Sequence, residues 1–137
     1  MFDTPFEMIE LETHPDSRGN LFEILRFKDQ QVPGEGYIYC LTLSPGARRG
    51  DHYHEIKREW CVCVSGAVTV LAEEKDGTQH KVVLSAAHPT VVYFAPFTAH
   101  TVINEGSETA AVVFYGSKQY DQENPDTISK IIEYRDI

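Results

Sequence analysis

Val, Ile, Tyr and Phe recur in short runs, often alternating with polar residues, and clusters of Gly, Pro, Asp and Asn separate the runs. Alternation with a period of two is the signature of a half-buried strand. The pattern predicts strands over Phe6–Glu12, Leu21–Phe27, Gly36–Leu43, Glu59–Ala72, Lys81–Leu84, Thr90–Phe94, His100–Asn104 and Thr109–Tyr120. Thr127–Tyr134 reads as a strand or a short helix. Turn residues punctuate the runs, as in Pro15-Asp16-Ser17-Arg18-Gly19-Asn20, Ser44-Pro45-Gly46 and Lys75-Asp76-Gly77. No helical period extends beyond about three turns. So many short strands predict an all-β barrel or double-sheet jelly roll. At about eight strands the interior of such a fold is wide enough for one small ligand.

Length and charge narrow the field. The chain has 137 residues, which fits a single domain spanning residues 1–137 with a core of its own. It carries 21 Asp plus Glu against 12 Lys plus Arg, a formal net charge of -9. That balance argues against nucleic acid and anionic membrane as partners, because both call for a basic surface. It leaves room for an anionic small molecule, which responds only to local charge. The apolar runs fall far short of the roughly 20 residues that span a bilayer. A basic segment followed by an apolar run, the mark of a secretory signal, is not seen at the start of the sequence. Three cysteines cannot all pair with one another, so the expectation is reduced thiols in the cytoplasm.

The chemistry concentrates between Gly46 and Gly66. His52 and His54 are two apart, so on a strand both imidazoles point to one face. Glu59 opens the run Glu59-Trp60-Cys61-Val62-Cys63-Val64, in which Glu59, Cys61 and Cys63 share one face and Trp60, Val62 and Val64 the other. Cys61 and Cys63 read as small buried apolar residues, and Cys40 as strand core. His100 follows the turn at Pro96 and can face the same interior. Three imidazoles and a carboxylate form a mixed nitrogen and oxygen site for a divalent metal, with coordination positions left for substrate. Ligand type leaves zinc, nickel, manganese and iron open.

The spacing of Gly46, His52, His54, Glu59 and Gly66 resembles the first cupin motif in full: Gly, five residues, His-x-His, four residues, Glu, six residues, Gly. Pro96 to Asn104, with His100 and then Asn104, resembles the second motif. It departs in lacking the leading Gly and in having Thr98 where a Gly is common. The resemblance implies a cupin double-stranded β-helix, a jelly-roll barrel with His52, His54, Glu59 and His100 pointing inward as metal ligands.

Further elements resemble one branch of the cupins. Asp16-Ser17-Arg18-Gly19 with Glu23, and Arg49-Gly50-Asp51-His52-Tyr53, are similar to elements of the dTDP-4-keto-6-deoxyglucose 3,5-epimerases and, in the second case, of the sugar 3,4-ketoisomerases. In the epimerases these arginines and the Glu line a nucleotide-sugar pocket, and the His is the base. Arg-Gly-Asp-His-Tyr-His followed by Lys57-Arg58-Glu59, together with the tail Tyr120–Thr127, most resembles the zinc-binding C-terminal cupin domain of bifunctional capsular-polysaccharide enzymes. The implied activity is epimerisation or isomerisation of a nucleotide-activated 4-keto sugar in polysaccharide or deoxysugar biosynthesis. The expectation is a cupin acting alone or with a separate reductase, as a homodimer joined through Phe2–Leu11.

Removal of a hydrogen α to a ketone requires a base within reach and positive charge on the developing oxyanion. Arginines suit the diphosphate, since they offer planar bidentate donors. Arg18, Glu23 and Arg49 are the candidate substrate-binding residues, with Arg48, Lys57 and Arg26 as further cations. The candidate catalytic groups are Lys57, Tyr115 and His52. Tyr39, Tyr93 or solvent at the metal are alternatives, because a His52 bound to metal cannot also be the base. Two other readings use the same barrel: a metal cupin acting as an oxygenase or isomerase on a small free acid or sugar, and a non-catalytic sugar-binding or regulatory cupin.

Overall fold

A computed structural model describes residues 1–135. In chain order the elements are β1 (Phe6–Glu10), β2 (Thr13–Asp16), β3 (Gly19–Phe22), α1 (Phe27–Gln30), β4 (Tyr37–Leu43), β5 (Arg48–Tyr53) and β6 (Glu59–Ser65). There follow β7 (Ala67–Glu73), β8 (Gln79–Ser85), β9 (Thr90–Phe94), β10 (Ala99–Ile103), β11 (Ala110–Gly116) and β12 (Ile128–Ser129). The strands form two five-stranded sheets, ordered β1-β9-β6-β11-β4 and β12-β5-β10-β7-β8, plus a separate β2-β3 ribbon. All pairings are antiparallel. The two large sheets face each other as a jelly roll. Among the described residues no helix is long and apolar enough to cross a membrane.

Alternation along each strand sorts side chains between an interior core and two outer clusters. Leu43, Cys61, Cys63, Val70, Val92, Phe94, Val102, Val112 and Phe114 fill the space between the sheets. Trp60, Val91, Tyr93 and Tyr115 point out of the first sheet and are covered by Phe2, Val32, Leu11, Ile24 and Leu25. Leu71 and Ala99 on the outer face of the second sheet are covered by Ile132. The run Glu59–Ala72 is therefore two strands, broken at Gly66, whose positive φ of 72° suits glycine.

Two expectations are corrected, for Leu21–Phe27 and Cys40, and the C-terminal segment takes its strand alternative over two residues. The strand over Leu21–Phe27 ends at Phe22, and the chain instead makes the β2-β3 ribbon and the short helix α1. The C-terminal segment is an extended strap with a two-residue strand. Cys40 is exposed, because β4 is an edge strand whose residues Ile38 and Cys40 face outward without cover. Cys61 and Cys63 lie in the interior core as their alternation implies.

Candidate metal centre

β5, β6 and β10 converge at one end of the barrel. His52 pairs with His100 across β5 and β10, and the loop after β5 brings His54 toward Glu59 at the start of β6. One donor atom from each of His52, His54, Glu59 and His100 lies within 4.8 Å of every other. His54, Glu59 and His100 are buried and His52 is half-buried. The rings of His54 and His100 lie 4.9 and 5.0 Å from that of His52. Phe94 stacks on His100 with ring centroids 4.4 Å apart.

A backbone irregularity aims the histidines. The β5–β10 register shifts between His100 and Thr101, and Asp51 takes a left-handed φ of 56°. Gly50 sits at φ 115°, and a Cβ there would come within 2.7 Å of the His100 carbonyl oxygen. Such a bulge re-aims the side chains beyond it. Arg48 faces outward, where its guanidinium holds Asp51 at 2.7 Å and the Ile132 carbonyl at 2.8 Å. Its neighbour Arg49 therefore lies on the opposite face, the side of the histidines, at the exposed rim.

The hydrogen bonds of the imidazoles test the fit of a cation. His54 Nδ1 contacts the Asp126 carbonyl at 2.5 Å and His100 Nδ1 contacts the Thr98 carbonyl at 3.1 Å. A carbonyl oxygen only accepts, so each Nδ1 carries a proton, and in the neutral form of each ring the lone pair is on Nε2. Those two Nε2 atoms lie 2.9 and 3.0 Å from the same carboxylate oxygen, Glu59 Oε1. The buried His100 Nε2 has no hydrogen-bond partner. Lone pairs that converge in this way are satisfied by a cation between them, so the residues fit a divalent metal. Burial, with the neighbouring His100 and His54, pulls the His52 pKa down to about 4, which keeps a third imidazole neutral and free to donate its lone pair. Burial works to raise the Glu59 pKa, but His100 and His54, when they carry protons toward it, outweigh burial and hold the carboxyl well below its ordinary range, a role that a cation in the cluster would take over.

Lys57 lies against this cluster. It is buried, its Nζ donates to the Tyr37 hydroxyl at 2.9 Å, and it approaches Glu59 Oε2 at 3.5 Å. Tyr39 stacks on Tyr37 and donates to Glu59 Oε2. Burial and then the Glu59 charge push the Tyr39 pKa far up, so it stays a donor and makes a poor base.

Other residues singled out from the sequence lie elsewhere. Tyr115 pairs with Trp60 on the outer face of its sheet; its hydroxyl donates to the Pro33 carbonyl and accepts from the Gly36 N–H at 3.1 Å. Strand alternation puts Phe114, not Tyr115, in the interior. Tyr93 also faces out, where its hydroxyl accepts from Arg58 at 2.9 Å. Arg18 caps the exposed ribbon, bound to Asp16 at 2.6 Å, and Glu23 is exposed beside Arg26 at 3.4 Å. Neither is brought to the histidines, because residues 13–22 fold back on themselves as a ribbon. Asn104 is a buried turn residue whose side chain bonds Leu43, Glu108 and Gly106. Thr98, in place of a glycine, spends its hydroxyl on the Pro5 carbonyl. Sequence reasoning missed Asp126 and Tyr37 as neighbours of the site; both act from outside the motif, and only the tail pattern around Asp126 pointed to that stretch.

Fold and site together define a cupin jelly-roll barrel with a three-histidine, one-glutamate cluster. Residues 14–128 match the polysaccharide biosynthesis C-terminal domain family, and the chain belongs to it. It is 27% identical over 119 residues to a UDP-2-acetamido-2,6-beta-L-arabino-hexul-4-ose reductase of Pseudomonas aeruginosa, covering 86% of this chain and 31% of that protein. The chain thus spans about a third of the length of this curated relative. Among solved structures, the capsular polysaccharide assembling protein CapF from Staphylococcus aureus superposes with a TM-score of 0.69 at 22% identity, over 90% of this chain and 33% of CapF. ChmJ, a 3'-monoepimerase from Streptomyces bikiniensis seen in complex with dTDP-quinovose, superposes with a TM-score of 0.80 at 22% identity, over 94% of this chain and 71% of ChmJ.

Proposed function

We propose that the chain is a metal-dependent epimerase or isomerase of a nucleotide-activated 4-keto sugar. The observation that carries this reading is the convergence of the His54 and His100 lone pairs on Glu59, with the buried Lys57 beside them. A divalent ion held by His52, His54, Glu59 and His100, zinc foremost, supplies Lewis acidity toward a keto oxygen. Lys57 is the group that takes the α proton, the Tyr37 hydroxyl holds its Nζ, and inversion follows when solvent protonates the enolate on its opposite face. His52 serves as a ligand rather than as the base. Arg49, at the rim on the histidine side, meets the diphosphate. Arg18 and Glu23 sit on the ribbon, away from this centre within one chain. The names of the matched relatives support the sugar class: a UDP-sugar reductase, and a 3'-monoepimerase with a bound dTDP-sugar.

The reading includes a homodimer, supported by the unpaired outer edge of β1, and a reducing, cytoplasmic setting, supported by free thiols at Cys40, Cys61 and Cys63. The test of the activity is proton exchange. The zinc-loaded protein is incubated with a UDP- or dTDP-4-keto sugar in deuterated water, and the C3 and C5 protons are followed by NMR. Loss of a C3 or C5 proton signal is expected; retention of both with zinc bound would sink the reading. Lys57→Ala is expected to slow the exchange by about 10²–10⁴-fold.

A further inference from the structure

Residues 54–58 join the strand that carries His52 to the strand that opens with Glu59, and they contain His54 and Lys57. One residue from the far end of the chain holds most of this loop. Asp126 Oδ1 accepts the Glu55 N–H at 2.7 Å, and Oδ2 accepts the N–H groups of Ile56 at 2.9 Å and Lys57 at 2.8 Å. The Asp126 backbone carbonyl accepts from His54 Nδ1 at 2.5 Å. Four consecutive residues are thus bound to one residue 70 positions beyond Ile56.

The two halves of Asp126 do different work. Its carbonyl dictates which nitrogen of His54 carries the proton, and so leaves the Nε2 lone pair facing Glu59. Its carboxylate satisfies three loop N–H groups that no strand pairs, and so fixes the path that places Lys57 against Tyr37 and Glu59. A carboxylate that accepts several N–H groups makes charge-assisted bonds, stronger than neutral ones. The carboxylate thus anchors the residue whose carbonyl meets His54, two positions before the strap pairs with Tyr53.

We propose that Asp126 is a positioning residue of the metal centre, fixing the His54 tautomer through its carbonyl and the Lys57 loop through its carboxylate. The affinity consequence rests on the metal reading above; the tautomer does not. Outer partners of ligating histidines typically change metal affinity by about 10–100-fold.

The test has two arms. In metal-free protein at about pH 8, above the ordinary histidine range, nitrogen-15 NMR of the imidazoles is expected to show His54 with its proton on Nδ1 alone. In Asp126→Ala a mixture of tautomers is expected. A wild-type His54 protonated on Nε2, or a tautomer unchanged in Asp126→Ala, overturns the proposal. In the second arm, zinc affinity is measured by competition with a chromophoric chelator. Asp126→Ala is expected to lose about 10–100-fold, and Asp126→Asn, which keeps one acceptor oxygen, to lose less. Lys130→Ala cuts the strap's 2.7 Å link to Glu73 away from the loop and is expected to leave zinc affinity unchanged. Equal losses in Lys130→Ala and Asp126→Ala reduce Asp126 to a mere strap anchor and overturn the proposal. If Asp126→Ala does not fold, Asp126→Asn is read in both arms. A wild type that binds no zinc fails the metal reading, and the tautomer arm then decides the proposal alone.

Discussion

At the scale of the residue, the site depends on which atom of each side chain is already engaged. Glu59 Oε1 faces two imidazole lone pairs, while Oε2 accepts from Tyr39 and approaches Lys57. One carboxylate thus links the histidine cluster to Lys57 and Tyr39, the proposed metal and proton-handling sides of the site. His54→Ala removes a ligand and is expected to abolish stoichiometric zinc, as read by metal analysis of the purified protein. Tyr115 shows the reverse case: a residue rich in chemistry whose hydroxyl is spent on the chain turn at Pro33–Gly36. Tyr115→Phe is expected to cost about 1–3 kcal/mol of stability, from two bonds left unmade, and to leave proton exchange from the sugar unchanged. A calorimetric scan and the NMR assay separate the two effects. Sequence periodicity alone places Tyr115 opposite Phe114, but which of the two faces inward depends on the partner strand.

At the scale of the element, the β5 bulge and the C-terminal strap act as a pair. The strap is pinned by Asp51, Glu73 and Asp126: Asp51 accepts the Ile132 N–H at 3.0 Å, Glu73 holds Lys130, and Asp126 holds the loop after β5. All three carboxyls are lowered below their ordinary values. The Arg48 hydrogen bond does this chiefly for Asp51 and the Lys130 bond for Glu73. For Asp126, burial works upward and the N–H groups of Lys57, Glu55 and Ile56 outweigh it. A depressed folded pKa means stability that is fully present above the unfolded value, 3.8 for Asp and 4.5 for Glu, and lost as pH falls through the lower folded value. The strap is therefore expected to loosen in acid before the barrel does, and not in mild alkali. Hydrogen exchange of residues 126–132, taken to a pH below the unfolded values, checks this; protection that persists until the whole barrel unfolds contradicts it. Gly50→Ala belongs to the same element. Its Cβ would crowd the His100 carbonyl at a φ that favours glycine, so both thermal stability and zinc affinity are expected to fall.

At the scale of the whole molecule, the proposed metal would be linked to the fold. A ligand bound only by the folded state adds about 2.7 kcal/mol at a hundred times its dissociation constant. Saturating zinc is expected to raise the melting temperature of the wild type and not that of His54→Ala. Equal shifts in both proteins would place the metal elsewhere. Self-association is the second test at this scale. The outer edge of β1 and the exposed Ile38 of edge strand β4 leave the first sheet open at both sides. A dimer is expected in sizing experiments at micromolar concentration, and a monomer there would count against the homodimer.

The sequence by itself determined the all-β class, the alternation of β6 and the four residues of the His/Glu cluster, because these follow from period-two geometry and a fixed motif spacing. It also placed Lys57 close to Glu59, since two positions along a chain cannot lie far apart. It could not place Arg18, Glu23, Tyr115 or Asp126. Their roles turn on whether a segment joins a sheet or folds back on itself, on which strand face a core covers, and on a contact between the first half of the chain and its tail. Those outcomes depend on long-range packing, which local spacing does not encode. The contact of His54 Nδ1 was decided in the same way, by a carbonyl that tertiary folding carries to it from the far end of the chain.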